Sequence, residues 1–140
     1  MTPGLSHDYV TRTADRQAAF VLPYLRPGMN LLDIGCGSGS IMLGLAGAVV
    51  PGHVTGINND REHIEAAKAL AVERGITNVT LQLGDAPSLS FQEETFEAAF
   101  ENNVFTYLAQ EAPRAAREVY RVLKSQGFFA VRDVDADSVV

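Results

Sequence analysis

Apolar and polar positions along the chain fall into alternating strand-like and helix-like blocks. Leu31, Leu32 and Ile34 form a short apolar run, the mark of a buried strand, and Ile41, Leu45, Ala46 and Val49 then recur at helical spacing. Gly35, Gly37 and Gly39 stand between them, so a strand runs through a tight glycine turn into a helix. The alternation then repeats. Residues 53–57 read as a second strand, introduced by Pro51-Gly52. Asn59 with Glu62 has the spacing of a capping box, and the helix it opens runs to about Arg74, with Ile64, Ala67, Leu70 and Ala71 facing inward and Gly75 as its C-cap. Val79, Leu81 and Leu83 alternate with Thr80 and Gln82, which predicts a third strand over residues 78–83. A fourth strand is predicted over 95–100 and a fifth over 128–132. Between them an amphipathic helix over 110–123 turns Ala112, Ala115, Val119 and Val122 or Leu123 inward. Ahead of the first strand, residues 15–25 carry a helical pattern with Ala18, Ala19, Leu22 and Leu25 on one side, and Pro23 kinks or ends it near Val21 or Leu22. Residues 1–12 read as irregular. Strands alternating with helices define an α/β protein with a mainly parallel sheet.

Size and charge narrow the function classes. A chain of 140 residues is one domain. No apolar run is long enough to span a bilayer, so no membrane partner is expected. The first residues lack a basic region followed by an apolar stretch, so no signal peptide is expected. The lone cysteine, Cys36, leaves no partner for an intrachain disulfide and fits a reducing, cytoplasmic setting. A net charge of −6, with lysines and arginines scattered, argues against nucleic acid as a partner. His7, His53 and His63 lack the spacing of zinc ligands, and Asp133, Asp135 and Asp137 alternate in a tail without a further ligand cluster, so no metal site is expected. A hydrolytic nucleophile is poorly supported, since the chain has no G-x-S-x-G elbow and Cys36 has no histidine near it in sequence.

The glycine turn carries the candidate chemistry. Its spacing is G-x-G-x-G, not the G-x-G-x-x-G of a dinucleotide site, and Asp33 stands two residues before the first glycine. A carboxylate there repels a phosphate and suits a cationic ligand. The stretch L-L-D-I-G-C-G-S-G, residues 31–39, resembles the first motif of class I S-adenosylmethionine-dependent methyltransferases. It is similar to their small-molecule branch, which includes the ubiquinone/menaquinone-biosynthesis type. The G-D-A of residues 84–86 and the R-E-V-Y-R-V-L-K of residues 117–124 resemble further motifs of that family.

The resemblance implies a Rossmann-like three-layer sandwich with strand order 3-2-1-4-5. The family's usual sheet has seven strands, and this chain is expected to lack the last two. The fifth strand then forms an open edge, expected to be covered by a second copy or another chain. The implied division is an N-terminal arm and helix (1–28), a nucleotide-binding core (29–133) and a tail (134–140). Asp33, Gly35, Cys36, Gly37 and Gly39 are expected to frame the methionine part of S-adenosylmethionine. Asn58 and Asn59 face the ribose, and Gly84, Asp85 and Ala86 the adenine. Most family members carry an acid where this chain has Asn58. Leu89 and Phe91 pack over the adenine site or beneath the loop that carries them. Glu101 and Asn102 fall beside the acceptor, with His7 and Tyr9 closing over it. Glu101 is read either as a general base in a partly apolar pocket or as a solvated loop carboxylate. The expected function is methyl transfer to a small-molecule acceptor. Two alternatives stand beside it: cyclisation or elimination on a small metabolite, with Glu101, His7 or His53 as acid or base, and a non-catalytic subunit that binds a partner.

Overall fold

The computed structural model describes residues 18–132. The expectations for His7, Tyr9 and the tail acids lie outside the described residues. In chain order the elements are β1 (Asn30–Ile34), α1 (Ser40–Val49), β2 (His53–Asn58), α2 (Arg61–Glu73), β3 (Val79–Leu83), β4 (Phe96–Asn102), α3 (Ala112–Val122) and β5 (Leu123–Arg132). The strands form one sheet in the order β3-β2-β1-β4-β5, with every neighbouring pair parallel. This is the expected Rossmann-like α/β sandwich.

The central strand explains the layering. Parallel sheets covered by helices on both faces carry near-continuous apolar strands, and β1 is buried from Leu31 to Ile34. Leu31 joins Val54, Ala98 and Phe100 in a core under α1 and α2. Leu32 and Ile34 join Ile57, Ala99, Ala115, Val119 and Val122 in a second core under α3. Successive strand residues point to opposite faces. Asp33 therefore faces the α1 side and Glu101 the α3 side, one strand apart.

Several element boundaries differ from expectation, each for a local reason. The helix expected over 15–25 does not form in its described part: from Ala18 the chain turns, and a 3-10 turn forms at Leu22–Tyr24, with Pro23 in its first positions. Ala18, Val21 and Leu25 are buried there, while Ala19 is exposed. The cap of α2 is Asp60, not Asn59, because Asp60 is extended and its side chain accepts from the Glu62 amide at 2.9 Å. Strand β4 runs on through Glu101 and Asn102, which pair with Val131 and Arg132 of β5. Strand β5 begins at Leu123, opposite Phe96. The register then shifts so that Ala98 meets Phe128, and residues 124–127 bulge out with Gln126 at φ 68°. Helix α3 starts later than its apolar pattern suggests, behind 3-10 turns at Phe105–Tyr107 and Ala109–Glu111 and with Pro113 in its first turn.

Candidate active site

The carboxyl ends of β1 to β4 meet the loops that follow them, the place where ligands bind in open α/β sheets. The carbonyl of Ile57 at the end of β2 accepts from the amides of both Gly35 and Cys36, each at 2.9 Å, and so pins the glycine turn to its neighbour strand. Gly35 and Gly39 hold φ of 73° and 90°, a region that L side chains rarely adopt. The two also serve close approach. A Cβ on Gly35 would collide with the Val104 γ2 methyl, and one on Gly39 would lie 2.9 Å from the Ala67 Cβ of α2.

Two chambers open around this turn. The larger, about 540 Å³, is walled on one side by Asn58, Asn59, Asp60, His63 and Gly84 to Ala86, and on the other by Asn102, Asn103, Val104, Tyr107 and Leu108. The smaller, about 50 Å³, lies between Asp33, Cys36, Ser38, Ser40, Ile41 and Phe100. Gly35 and Asn102 line both, so the chambers meet there.

The charge of the site is acidic. Asp33, Asp60 and Asp85 line it, and among the described residues no lysine or arginine does. Burial pushes the Asp33 carboxyl up to about 7, with the nearby Glu101 charge adding to the shift. Burial, with the Asp33 charge behind it, also pushes the Cys36 thiol up, which keeps it in its unreactive protonated form. Asn58 and Asp60 are partly engaged already: Asn58 Oδ1 accepts from the Asp60 amide at 2.9 Å, and Asp60 Oδ2 lies 3.9 Å from His63 Nδ1.

Most of the residues singled out from sequence converge on these chambers. Asp33, Gly35, Cys36, Asn58, Asn59, Gly84, Asp85, Ala86 and Asn102 all line one or both. Gly37 and Gly39 shape the turn without lining either chamber. Asn102 Oδ1 is held by Arg132 at 3.0 Å. Glu101 departs from expectation. It lies within β4, is 0% exposed, lines neither chamber and accepts from the Val104 amide at 2.8 Å. The reading as a solvated loop carboxylate is therefore corrected, because the strand extends far enough to bury it. His53 stands at the opposite end of β2, where its Nε2 meets Thr80 Oγ1 at 2.7 Å. The acid or base role suggested for it in cyclisation or elimination has no geometric basis. Leu89 and Phe91 lie beneath their loop in the α3-side core, their carbonyls held by Arg121.

Sequence reasoning passed over His63, Asn103, Val104 and Leu108. His63 carried a usable signal, since it stands three residues after the helix cap and so on the same side of the first turn. Asn103 carried none. Its backbone is left-handed at φ 61°, and its side-chain oxygen is buried without a hydrogen-bond partner among the described residues. Among the described residues no cluster of three or more potential ligands for a metal occurs, and no helix is long and apolar enough to cross a membrane.

This turn and this strand order define a Rossmann-like α/β domain with a pair of chambers at the carboxyl ends of its strands. Residues 25–139 match the family described as "Methyltransferase domain". The chain is 33% identical over 131 residues to the probable methyltransferase ltbC of Aspergillus luteorubrus, covering 88% of this chain and 46% of that protein. Among solved structures, a SAM-dependent methyltransferase from Methanosarcina mazei superposes with a TM-score of 0.73 at 33% identity, covering 80% of this chain and 55% of the other. The [4+2]-cyclase SpnF superposes with a TM-score of 0.78 at 32% identity, covering 91% and 48%. The chain belongs to the class I S-adenosylmethionine-dependent methyltransferase family. It spans about half the length, or less, of the curated relatives it matches.

Proposed function

We propose that this domain binds S-adenosylmethionine and directs its methyl group to a small-molecule acceptor. The observation that carries the reading is the meeting of the two chambers at Gly35 and Asn102, with a buried carboxylate in the smaller one. S-adenosylmethionine supplies a methyl group already activated on a sulfonium sulfur, so the protein's task is orientation more than activation. The residues fit that ligand in three respects. Asp33 is a carboxylate that burial disfavours until a cation, here the methionine ammonium, comes to it. Asp85, exposed at the rim of the larger chamber, offers an acceptor to the adenine amino group, with Gly84 and Ala86 beside it. The Gly35 turn leaves room for close backbone approach, with Cys36, Gly37 and Gly39 completing it. Asn58 fits less well. It and Asn59 face the ribose, but an amide gives one oxygen acceptor, and that oxygen already serves the Asp60 amide.

Asn102, at the junction and held by Arg132, is the residue placed beside the acceptor, and His7 is the residue proposed to close over it. The reading treats residues 1–140 as one unit with an arm (1–28), a core (29–133) and a tail (134–140). It further assigns the edge of β5, where Val131 is 47% exposed, to pairing with a second copy or another chain. A particle mass in solution equal to one chain at micromolar concentration overturns that pairing.

Calorimetric titration with S-adenosylmethionine and S-adenosylhomocysteine, on protein freed of carried-over ligand, tests the main reading. Micromolar binding supports it, and no binding of either ligand overturns it. A second reading is that the fold serves cyclisation or elimination, which the likeness to the cyclase SpnF favours. Under it the cofactor binds, but no methyl leaves it when acceptors are supplied.

A further inference from the structure

Glu101 is a charged residue where an apolar one would be cheaper. It is fully buried and lines neither chamber. Burying a carboxylate only to fill space is unfavourable compared with an apolar side chain of similar volume. The side chain must therefore do something an apolar group cannot. Its Oε2 accepts from two consecutive amides, Val104 at 2.8 Å and Phe105 at a longer 3.4 Å. These amides belong to the turn that leaves β4, and charge-assisted bonds of this kind are stronger than neutral ones.

That turn forms the wall of the larger chamber facing the glycine loop. The Val104 γ2 methyl occupies the space that a Cβ on Gly35 would need. Glu101 pairs in register with Ile34, the residue directly before Gly35. The turn is also pinned from its other side. The Asn103 amide donates to the Arg132 carbonyl at 2.8 Å, and the Phe105 ring packs on Phe129 at 5.5 Å between centroids. Between these points Asn103 holds a left-handed backbone, which persists only where its surroundings enforce it.

We propose that Glu101 is a positioning residue: from behind the cleft its carboxylate fixes the 102–105 turn, and through Val104, which packs on Gly35, it sets the chamber wall against which the acceptor is presented. Only the last step, presentation of an acceptor, rests on the methyl-transfer reading. Glutamine keeps the bulk and an oxygen acceptor without the charge, and alanine removes all three, so Glu101→Gln tests the charge while exchange at the two amides reads the acceptor directly.

The experiment uses the full chain with Glu101→Gln and Glu101→Ala. Amide hydrogen exchange at Val104 and Phe105 is read first, with Leu31 and Ala99 as references for the sheet core. Titration with S-adenosylhomocysteine follows. Glu101→Gln is expected to keep both amides protected and to bind within about threefold of the parent. Glu101→Ala is expected to speed exchange at Val104 and Phe105 by about tenfold or more while the references hold, and to weaken binding about tenfold, the equivalent of about 1.4 kcal/mol. If Glu101→Ala fails to fold, Val104→Ala trims the same wall without touching the carboxylate and is expected to weaken binding about threefold to tenfold. Unchanged exchange at the two amides overturns the proposal. So does a loss in Glu101→Gln equal to that in Glu101→Ala, or unaltered binding in Val104→Ala. If the parent protein itself binds no S-adenosylhomocysteine, the methyl-transfer reading fails, and exchange at Val104 and Phe105 still decides what Glu101 does.

Discussion

The two walls of the larger chamber are built in different ways. The wall on the β2 and β3 side is held mainly by bonds between near neighbours in sequence, with the Gly84 amide donating to the Asn58 carbonyl at 3.0 Å to tie the two strand ends together. The Asp60 amide reaches Asn58 Oδ1, the Glu62 amide reaches Asp60 Oδ1, and the Ser88 amide reaches the Asp85 carbonyl. The wall on the β4 and β5 side adds long-range ties to the local bonds that Glu101 makes to Val104 and Phe105. Arg132 grips Asn102 from 30 residues away, the Asn103 amide meets the Arg132 carbonyl, and Val104 closes on Gly35. The first wall is mostly a set of local turns, and its shape is expected to tolerate substitutions elsewhere. The second exists only once β1, β4 and β5 are in register, so its chemistry is sensitive to changes that never touch a ligand.

The contact between the walls gives the largest expected effect. Gly35→Ala places a Cβ on the Val104 methyl and forces an L side chain into φ 73°. Overpacking costs about 1–3 kcal/mol, and backbone strain a similar amount. We expect S-adenosylhomocysteine binding to fall at least about a hundredfold, equal to about 2.7 kcal/mol or more. Gly28→Ala is the matched control: φ there is 93°, but nothing lies within 4 Å, so only strain is added and binding holds. Equal losses of binding in the two variants would mean that the Val104 contact does not matter.

Asp33→Asn comes next. Removing the carboxylate proposed to meet the ligand ammonium is expected to weaken S-adenosylhomocysteine binding about tenfold. The same variant carries a stability prediction of opposite sign. The folded carboxyl is raised to about 7 from an ordinary 3.8, so between these values the native state holds a proton that the unfolded state has lost. Stability of the ligand-free protein therefore falls as pH rises from about 4 to about 7 and levels off above, by at most about 4 kcal/mol. Asp33→Asn removes that slope. Urea unfolding at pH 5 and pH 8 checks it, and a slope unchanged in the variant would remove Asp33 as its source.

The same contrast between walls explains how much the sequence disclosed. The Asp33-to-Gly39 turn, Asn58, Asn59 and the Gly84-Asp85-Ala86 corner are chemical types at fixed short spacings, and all of these segments line or shape the two chambers. The sheet order was equally legible, because strand and helix periods alternate without interruption. Glu101 was not. Whether it is a solvated loop residue or a buried strand residue depends on where β4 stops, and that is set by pairing with Val131 and Arg132, far along the chain. Val104 was hidden for the same reason, since nothing near it in sequence announces contact with Gly35. The capping residue of α2 was missed by one position because Asn59 and Asp60 are both good caps, and the bond from Asn58 to the Asp60 amide decides between them.

The local wall also offers a gain of function. In Asn58→Asp one carboxylate oxygen can stay with the Asp60 amide while the other is free for ribose hydroxyls. Binding of S-adenosylhomocysteine is expected to tighten about threefold to tenfold, less if the neighbouring Asp60 charge opposes it. Unchanged or weaker affinity by calorimetry would mean that the ribose does not lie against Asn58.

The smallest effect is expected at the far end of the same strand. His53 opens β2, five residues before Asn58, and its ring bonds to Thr80 across the pair of strands. At about 3.3 Å of rise per strand residue it stands roughly 16 Å from the cleft, too far for proton transfer to any ligand bound there. His53→Ala thus loses one exposed hydrogen bond, worth about 1 kcal/mol of stability or less. Ligand affinity and its pH profile should match the parent. A pH profile that lost a step near neutrality in this variant would show that the amino end of the sheet reaches the chemistry after all, and the division of labour between the two walls would need a third participant.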